Sequence, residues 1–234
     1  MKQPPVIHLA FDCVVLSVLE RALHLALARR NPINEIGEPD PFPDAYSLPG
    51  GYVRADEAVE ETIRRRLGPE VGLKLNPIPL GVFDAPKRDP RHRVVTIAFY
   101  ALIPSDQAER LRWGPAYTSG SWIRVDQLPK SGWAFDHRQI VRRALGELRG
   151  RSLREPTGFG LLPKRFNLRE LHALHEQLRQ EPVDLRNFRK SILRTRVVRE
   201  VGSLPAKRGY PTKLYEVRPK VLQQLTDQAY AAQE

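Results

Sequence analysis

The sequence predicts an α+β protein of two domains, for three reasons. A chain of 234 residues with 41% hydrophobic residues can bury one sizeable core and a second, smaller one. Over the first 150 residues, β-branched and aromatic runs alternate with helical stretches, which indicates a sheet flanked by helices. The remaining residues read helix, helix, hairpin. We place the boundary between 152 and 153, giving domains 1–152 and 153–234.

The charge is concentrated in the second predicted domain. The chain has a net charge of +11 and an isoelectric point near 10.1. Residues 151–234 hold 17 Lys and Arg against 9 Asp and Glu, a net +8, which leaves +3 for the first 150 residues. This asymmetry predicts a polyanionic partner for the C-terminal domain.

Cysteine content and hydropathy narrow the class of protein. The single cysteine, Cys13, excludes an intramolecular disulfide and a cysteine-built metal site. The early apolar run is interrupted by His8, Asp12 and Glu20, so it fits neither a membrane span nor a signal peptide. We therefore expect a cytoplasmic protein without a membrane partner.

The predicted strands and helices of the first domain are separated by turn-forming segments. The segment from Val6 to Arg29 reads as two strands of a hairpin or meander, and a loop rich in Pro, Asp and Asn follows. A double glycine then precedes a helix with acidic residues in its first half. Strands are predicted in "NPIPLGVFDAP", "VVTIAFYALIP" and "GSWIRVDQL", and a second helix in "HRQIVRRALGELRG".

One spaced motif accompanies the double glycine. It consists of Gly51, Glu57, Arg65, Leu67, Glu70, Gly72 and Leu73. The spacing resembles the Nudix box, which marks pyrophosphohydrolases acting on nucleoside diphosphates linked to another group. The resemblance implies an α/β/α sandwich with a mixed sheet, and carboxylates that hold Mg²⁺ or Mn²⁺. Glu57 and Arg65 are expected to pair, and Gly72 to end the helix.

Two departures from the box alter its chemistry. Arg66 and Pro69 stand where the family has glutamates, so Glu70 alone remains of three carboxylates. A proline can at most tighten the turn that ends the helix. We therefore predict no catalytic residue, no metal and no cofactor, but a cleft that binds a nucleotide diphosphate without cutting it. Glu60 and Glu61 are interpreted as surface charges.

The predicted effector site combines the box with a basic turn between two strands. Its residues are Arg65, Arg66, Glu70, Arg88, Arg91 and Arg93. Ordinary turn cations are the alternative interpretation of the last three arginines. His137 precedes a helix and is expected to act as a cap or packing residue rather than as a base.

The second domain begins with two helices joined by a short turn. Asn167 and Glu170 form a capping-box pattern, and four leucines at 168, 171, 174 and 178 share one side of the first helix. Asp184 is expected to cap the second helix. On that helix, Leu185, Phe188, Ile192 and Leu193 are predicted to form the apolar side. The arrangement matches a helix-turn-helix.

A basic hairpin completes a winged helix-turn-helix. Its predicted tip, "PAKRGYPTK", carries three cations. The residues expected to contact DNA are Arg186, Asn187, Arg189, Lys190, Arg194, Lys207, Arg208 and Lys213. Arg186 and Asn187 suit base reading in the major groove, whereas the wing and Arg189 suit phosphate contacts. The alternative is a basic module that binds RNA, the ribosome or an acidic protein.

Both domains, in this order, resemble the NrtR-type family of Nudix-related regulators of NAD metabolism. The resemblance runs from about Val6 to Pro219 and includes "LLPKRFNLRELHALHE" and "DLRNFRKSIL". It implies a homodimeric, nucleoid-associated repressor of NAD biosynthesis or salvage genes, binding a double-stranded operator. The implied effector is ADP-ribose or another nucleotide such as NAD or ATP. An active Nudix hydrolase of ADP-ribose-like nucleotides with a nucleic-acid-anchoring domain remains the rival interpretation, because the box spacing and Glu70 are kept.

Overall fold

A seven-stranded mixed sheet forms the centre of the N-terminal half. The computed structural model describes residues 6–20, 22–34, 37–71, 77–154, 158–179, 181–205 and 211–221, with backbone only at 68–71 and 151–154. The strands are β1 His8–Leu19, β2 Ala22–Arg30, β3 Tyr46–Ser47, β4 Gly50–Tyr52, β5 Ile78–Phe83, β6 Val94–Ile103 and β7 Tyr117–Arg124. The order is β3-β2-β1-β6-β5, with β4 on β1 and β7 on β2. Only the β1–β6 pair of this sheet is parallel.

Alternation along β1 explains the layers on each face of the sheet. Successive side chains of a strand point to opposite faces. Phe11 and Cys13 therefore pack with helix α1, Val59–Val71, while Val14 and Leu16 pack with helix α2, His137–Arg154. The α/β/α sandwich with a mixed sheet and the β1–β2 hairpin are confirmed. Strand β7 begins three residues earlier than predicted, and a 3₁₀ turn, Val125–Gln127, follows it.

Helix α1 carries the proline within its last turn. Its backbone remains helical through Gly68 and Pro69 to Val71. Proline lacks the N–H that would bond to the carbonyl four residues earlier, so the last turn is held with one hydrogen bond fewer. Pro69 therefore lies in the turn that ends the helix, as expected, and Gly72, the predicted stop, lies outside the described residues.

The C-terminal half is a winged helix. A 3₁₀ turn, Phe159–Leu161, leads into α3, Leu168–Arg179, and α4, Leu185–Arg194, and the strands β8, Val198–Leu204, and β9, Thr212–Val217, pair antiparallel. Both predicted caps are present. Asn167 Oδ1 accepts hydrogen bonds from the backbone N–H groups of Arg169 and Glu170, each at 3.0 Å. In turn, Glu170 Oε2 accepts a hydrogen bond from the backbone N–H of Asn167 at 2.8 Å. Asp184 accepts the N–H of Asn187 at 2.7 Å.

The two halves share one continuous hydrophobic core. The four leucines of α3 are buried, and they join Ile140 and Leu148 of α2 and Tyr215 of β9 in a single cluster. Helix α2 continues to Arg154, so the boundary predicted between 152 and 153 falls in its last turn and stays a prediction. Within the ranges given above, no helix is long and apolar enough to cross a membrane.

Candidate functional site

A cleft of about 480 Å³ opens at one end of the sheet. The double glycine of β4, the arginines of α1, the β5–β6 loop and the start of α2 all reach it. Its charged lining residues are Arg30, Arg54, Arg65, Arg66, Arg88 and Arg91, with Asp12, Glu38, Asp40 and Asp89. A ligand pocket in proteins is typically about 300–1,000 Å³. The size and the surplus of cations suit a small anionic ligand.

The double glycine is required by close approach. A Cβ at Gly50 would collide with the carbonyl oxygen of Phe11 and lie 2.7 Å from a carboxylate oxygen of Asp12. A Cβ at Gly51 would lie 2.9 Å from Nε of Arg66. The Arg66 side chain therefore rests directly on the glycine loop, and its Nη2 is 3.5 Å from the Gly50 carbonyl oxygen. The substitution at position 66 brings a guanidinium to this wall of the cleft.

The Glu57–Arg65 pair predicted from the box is confirmed. Glu57 accepts hydrogen bonds from Nε and Nη2 of Arg65 at 2.6 and 2.7 Å, and from the Thr62 hydroxyl at 2.9 Å. The Arg65 hydrogen bonds are the main reason that the pKa of Glu57 is lowered to about 2. This carboxylate is bound to α1 and does not line the cleft.

The described residues do not fit the divalent cation that the Nudix resemblance implies. No group of three or more His, Cys, Asp and Glu side chains among them is placed to hold a metal ion. Hard cations such as Mg²⁺ need clustered oxygen ligands. Here Glu57 is occupied by Arg65, Arg66 adds positive charge at the glycine loop, and the Glu70 side chain lies outside the described residues.

A buried ion network forms the floor of the cleft. Arg88 Nη2 donates to Asp12 at 3.0 Å and to Asp136 at 2.6 Å, and its Nε also donates to Asp136. The three side chains are 4–10% exposed. His137 accepts the Leu48 N–H at Nδ1, 3.0 Å away, so its proton lies on Nε2, which faces Asp12 at 3.1 Å. Burial opposes ionisation of Asp12, but His137 and Arg88 lower its pKa to about 2.

This network changes the interpretation of two predicted residues. Arg88 was expected to clamp phosphate at the rim, but it is buried and neutralised by two carboxylates, so the structure makes it chiefly a floor residue. His137 is neither a cap nor a simple packing residue, because its ring joins the network and lines the cleft. A structural role for both follows from the geometry.

The two other arginines of the β5–β6 loop have different positions. Arg91 lines the cleft mouth, pairs with Asp89 at 2.8 Å and donates to the Tyr52 hydroxyl at 3.1 Å. The hydrogen bond to Asp89 is the main cause that raises the pKa of Arg91. Arg93 does not line the cleft and donates to the Asp84 carbonyl at 2.6 Å. Arg93 stabilises the turn, so its predicted place in the effector site is not supported.

The aromatic ring of Phe135 lies close to three arginines of the cleft. Phe135 has a left-handed backbone, with φ of 50°, and lines the cleft. The Cζ atoms of Arg30, Arg88 and Arg91 lie 5.0, 5.8 and 5.9 Å from its ring centroid. A charged arginine within about 6 Å of a ring face is attracted to it. This ring therefore helps to hold the guanidinium groups in position.

Several cleft residues were missed in the sequence. Among them are Asp12, Tyr52, Asp89 and Phe135. One of them could have been recognised from the sequence, because Asp12 is a charged residue within the apolar run that forms the central strand of the sheet. A buried carboxylate needs a partner. The others stand in loops or at strand ends, where no local pattern distinguishes them.

The predicted DNA-contacting side chains of α4 share the exposed surface of the winged helix. Arg186, Asn187, Arg189, Lys190 and Arg194 are all exposed. Ile192 is buried as predicted, whereas Leu193 is 45% exposed and does not belong to the apolar side. On the wing, Lys213 pairs with Glu200 at 2.8 Å. Lys207 and Arg208 lie outside the described residues.

Comparison with known domain families identifies both halves. Residues 6–144 match the NUDIX domain, and residues 158–217 match the NrtR DNA-binding winged helix domain. Because the first match covers more than half of the chain, the protein belongs to the Nudix family. It combines a Nudix domain with a winged helix domain of the NrtR type, as the sequence resemblance implied.

Individual relatives agree with this domain order. The chain is 24% identical over 207 residues to the ADPR responsive transcriptional repressor NtrR of Acinetobacter baylyi, covering 87% of this chain and 79% of that protein. It is similar to the crystal structure of Shewanella oneidensis NrtR complexed with a 27mer DNA, with a TM-score of 0.78, 25% identity and coverage of 92% and 95%.

A third relative resembles the first domain alone. The chain is 35% identical over 105 residues to an ADP-ribose pyrophosphatase of Methanocaldococcus jannaschii. The match covers 44% of this chain and 59% of that enzyme, so less than two thirds of the enzyme is spanned.

Proposed function

We propose that this protein is a DNA-binding transcriptional regulator, a repressor of NAD biosynthesis or salvage genes, that senses ADP-ribose or a related nucleotide in the cleft. One observation carries the proposal. The guanidinium of Arg66 lies on the glycine loop, at a box position that the family gives to glutamate, in a chain that also carries an NrtR-type winged helix. A repressor similar over 87% of this chain is named for its response to ADPR.

Charge explains why the cleft would bind a diphosphate and leave it intact. Arg65, Arg66 and Arg91 all line the cleft. Guanidinium groups donate pairs of hydrogen bonds to phosphate oxygens. Hydrolysis would need clustered carboxylates to hold a metal ion and orient water, and the described lining does not supply them. Glu70 remains part of the proposed effector site, and Arg88 belongs to the buried ion network that forms the floor of that site.

Helix α2 supplies a physical connection between the cleft and the winged helix. Its first residue, His137, lines the cleft, and Leu148 near its other end packs in the core that contains α3. Ligand-dependent movement at the floor would be transmitted along a rigid element. In a homodimer, this would change the distance between two winged helices and break their match to an operator.

A DNA-binding experiment tests this proposal. Fluorescence anisotropy would compare a duplex from upstream of the gene with a random duplex at several salt concentrations, each with and without ADP-ribose, NAD or ATP. The proposal predicts a preference for one duplex that persists at moderate salt and is abolished by one nucleotide. Equal, steeply salt-dependent binding to both duplexes, insensitive to every nucleotide, would contradict it.

Hydrolysis is the second candidate function, because the relative with 35% identity is an ADP-ribose pyrophosphatase. Calorimetry with ADP-ribose, followed by chromatography of the same sample with Mg²⁺, separates the candidates. Binding with intact ADP-ribose supports a sensor. Metal-dependent release of AMP that Glu70→Gln abolishes would support the enzyme.

A further inference from the structure

A second groove lies where the two halves of the chain meet. Its volume is about 1310 Å³, and it is separate from the cleft. One wall consists of the first turn of α3, the middle of α4 and the start of β9. The other consists of residues 18–20, at the β1–β2 turn, and Ser105. We call it the junction groove. It is bounded by both domains, so its width depends on how they are placed.

Three cations from different elements meet at this groove. Arg169 comes from α3, Arg189 from α4 and Lys213 from β9. Arg169 and Arg189 are exposed and form no ion pair with the residues that the structure describes. Lys213 pairs with Glu200, whose hydrogen bond raises the pKa of Lys213, and the charge of Arg189 opposes that rise only weakly. Like charges gathered in one concavity favour a bound anion.

Two carboxylates, those of Glu170 and Glu20, also line the groove. Glu170 is occupied by the N–H of Asn167, as part of the α3 cap. Glu20 is exposed on the β1–β2 turn and lines the groove from the Nudix domain. The cap also occupies the first N–H groups of α3, so an anion here would be held by arginine side chains rather than by the helix end.

The position of Arg189 indicates which anion would occupy the groove. It lies three residues after Arg186 on α4, and residues three apart are neighbours on a helix surface. Arg186 and Asn187 are exposed at the start of this helix, where a winged helix reads bases. A duplex read there brings its phosphate strand beside Arg189, and a phosphate strand is a continuous polyanion.

We propose that the junction groove holds one phosphate strand of bound DNA, with Arg169 and Arg189 on one side and the β1–β2 turn of the Nudix domain on the other. Both domains then contact DNA, and the Glu20 carboxylate weakens binding by facing the strand. The inference rests on the DNA-binding part of the proposed function, but not on any operator sequence or effector.

A random-sequence 30-bp duplex tests the inference, since backbone contacts do not depend on sequence. Anisotropy titrations of the full-length protein over a range of salt would compare Arg169→Ala, Arg189→Ala and Glu20→Gln with a matched control, Arg143→Ala, an exposed arginine of α2. All four side chains are exposed, and circular dichroism checks that the variants are folded.

Each arginine variant of the groove should weaken binding and lower the slope of log Kd against log salt by about 0.9, the value for one phosphate contact. The control should keep the wild-type slope. Glu20→Gln should bind a few-fold more tightly at low salt, with the gain fading as salt screens the charge.

Wild-type slopes for Arg169→Ala and Arg189→Ala would overturn the inference. Unchanged affinity of Glu20→Gln, with reduced slopes for the arginine variants, would overturn the part that places the Nudix domain beside the strand. Neither result would bear on operator preference or nucleotide release, so failure here is distinguishable from failure of the proposed regulation.

Discussion

The buried ion network under the cleft makes a quantitative prediction through Arg88→Met. Methionine keeps much of the side-chain volume but removes the charge that neutralises Asp12 and Asp136. The Arg88 and Asp136 side chains are 4% and 9% exposed. Breaking a buried pair by removing one partner costs about 3–5 kcal/mol, because the other charge is left uncompensated. We expect a loss of that size in the free energy of unfolding at pH 7.

The chain contains a matched control with the same geometry and different burial. Arg124 and Asp126 are 2.6 Å apart, as are Arg88 and Asp136, but their side chains are 45% and 58% exposed. Exposed pairs contribute about 0–1 kcal/mol. Arg124→Met should therefore leave the free energy of unfolding nearly unchanged, because solvent screens this exposed pair. Urea unfolding followed by tryptophan fluorescence measures both variants.

The pH dependence of the loss provides a second check. The folded pKa of Asp12 is lowered to about 2, against about 3.9 in an unfolded chain. Its ionised form therefore stabilises the native protein above about pH 4, and this contribution is lost as the pH falls towards 2. Without Arg88, Asp12 can take up a proton at higher pH, so the cost of Arg88→Met should shrink in acid.

Two outcomes would refute this reasoning. The first is equal destabilisation by Arg88→Met and Arg124→Met, which would mean that burial does not decide the value of the pair. The second is a loss for Arg88→Met that stays constant between pH 7 and pH 4. Adding Asp136→Asn to Arg88→Met should recover part of the stability, since one uncompensated charge is removed.

Three further predictions concern single positions. A Cβ at Gly120 would overlap the ring of Trp113, so Gly120→Ala should lower the free energy of unfolding, measured in urea, by about 1–3 kcal/mol. Gly146 lies inside α2 with open space around it, so Gly146→Ala should raise that free energy by up to about 1 kcal/mol. Equal effects of the two substitutions would contradict this prediction. Asn167→Ala removes the α3 cap and should cost about 1 kcal/mol in the same assay, and no loss would show the cap to be dispensable. Burial raises the pKa of the Cys13 thiol, so a thiol reagent should react with one equivalent only after denaturation, and rapid reaction of the native protein would contradict its burial.

Features that depend on neighbours in the sequence were predictable. The caps at Asn167 and Asp184 each involve residues three positions apart, and both are formed. The Glu57–Arg65 pair also follows from the fixed spacing of the box, since its partners are eight positions apart across the start of α1. The alternation of β1 fixed which side chains pack under each helix layer.

Features that depend on distant partners were not predictable. Arg88 bonds to Asp12, 76 residues away, and to Asp136, 48 residues away. A sequence shows Arg88 as a turn cation, because nothing local indicates that two carboxylates meet it inside the fold. Leu193 shows the same limit, since helical periodicity places it near the apolar side but the packing of α4 leaves it 45% exposed.

We propose that a nucleotide bound in the cleft controls the binding of DNA, and one measurement tests this proposal most directly. A fluorescent duplex from the upstream region, bound to the full-length protein at fixed salt with Mg²⁺, is titrated with ADP-ribose while anisotropy is followed, and the nucleotide is then analysed by chromatography. We predict release of the duplex with the ADP-ribose intact. Release that occurs only as AMP accumulates, or a duplex that stays bound while ADP-ribose is consumed, would contradict the claim and favour the hydrolase.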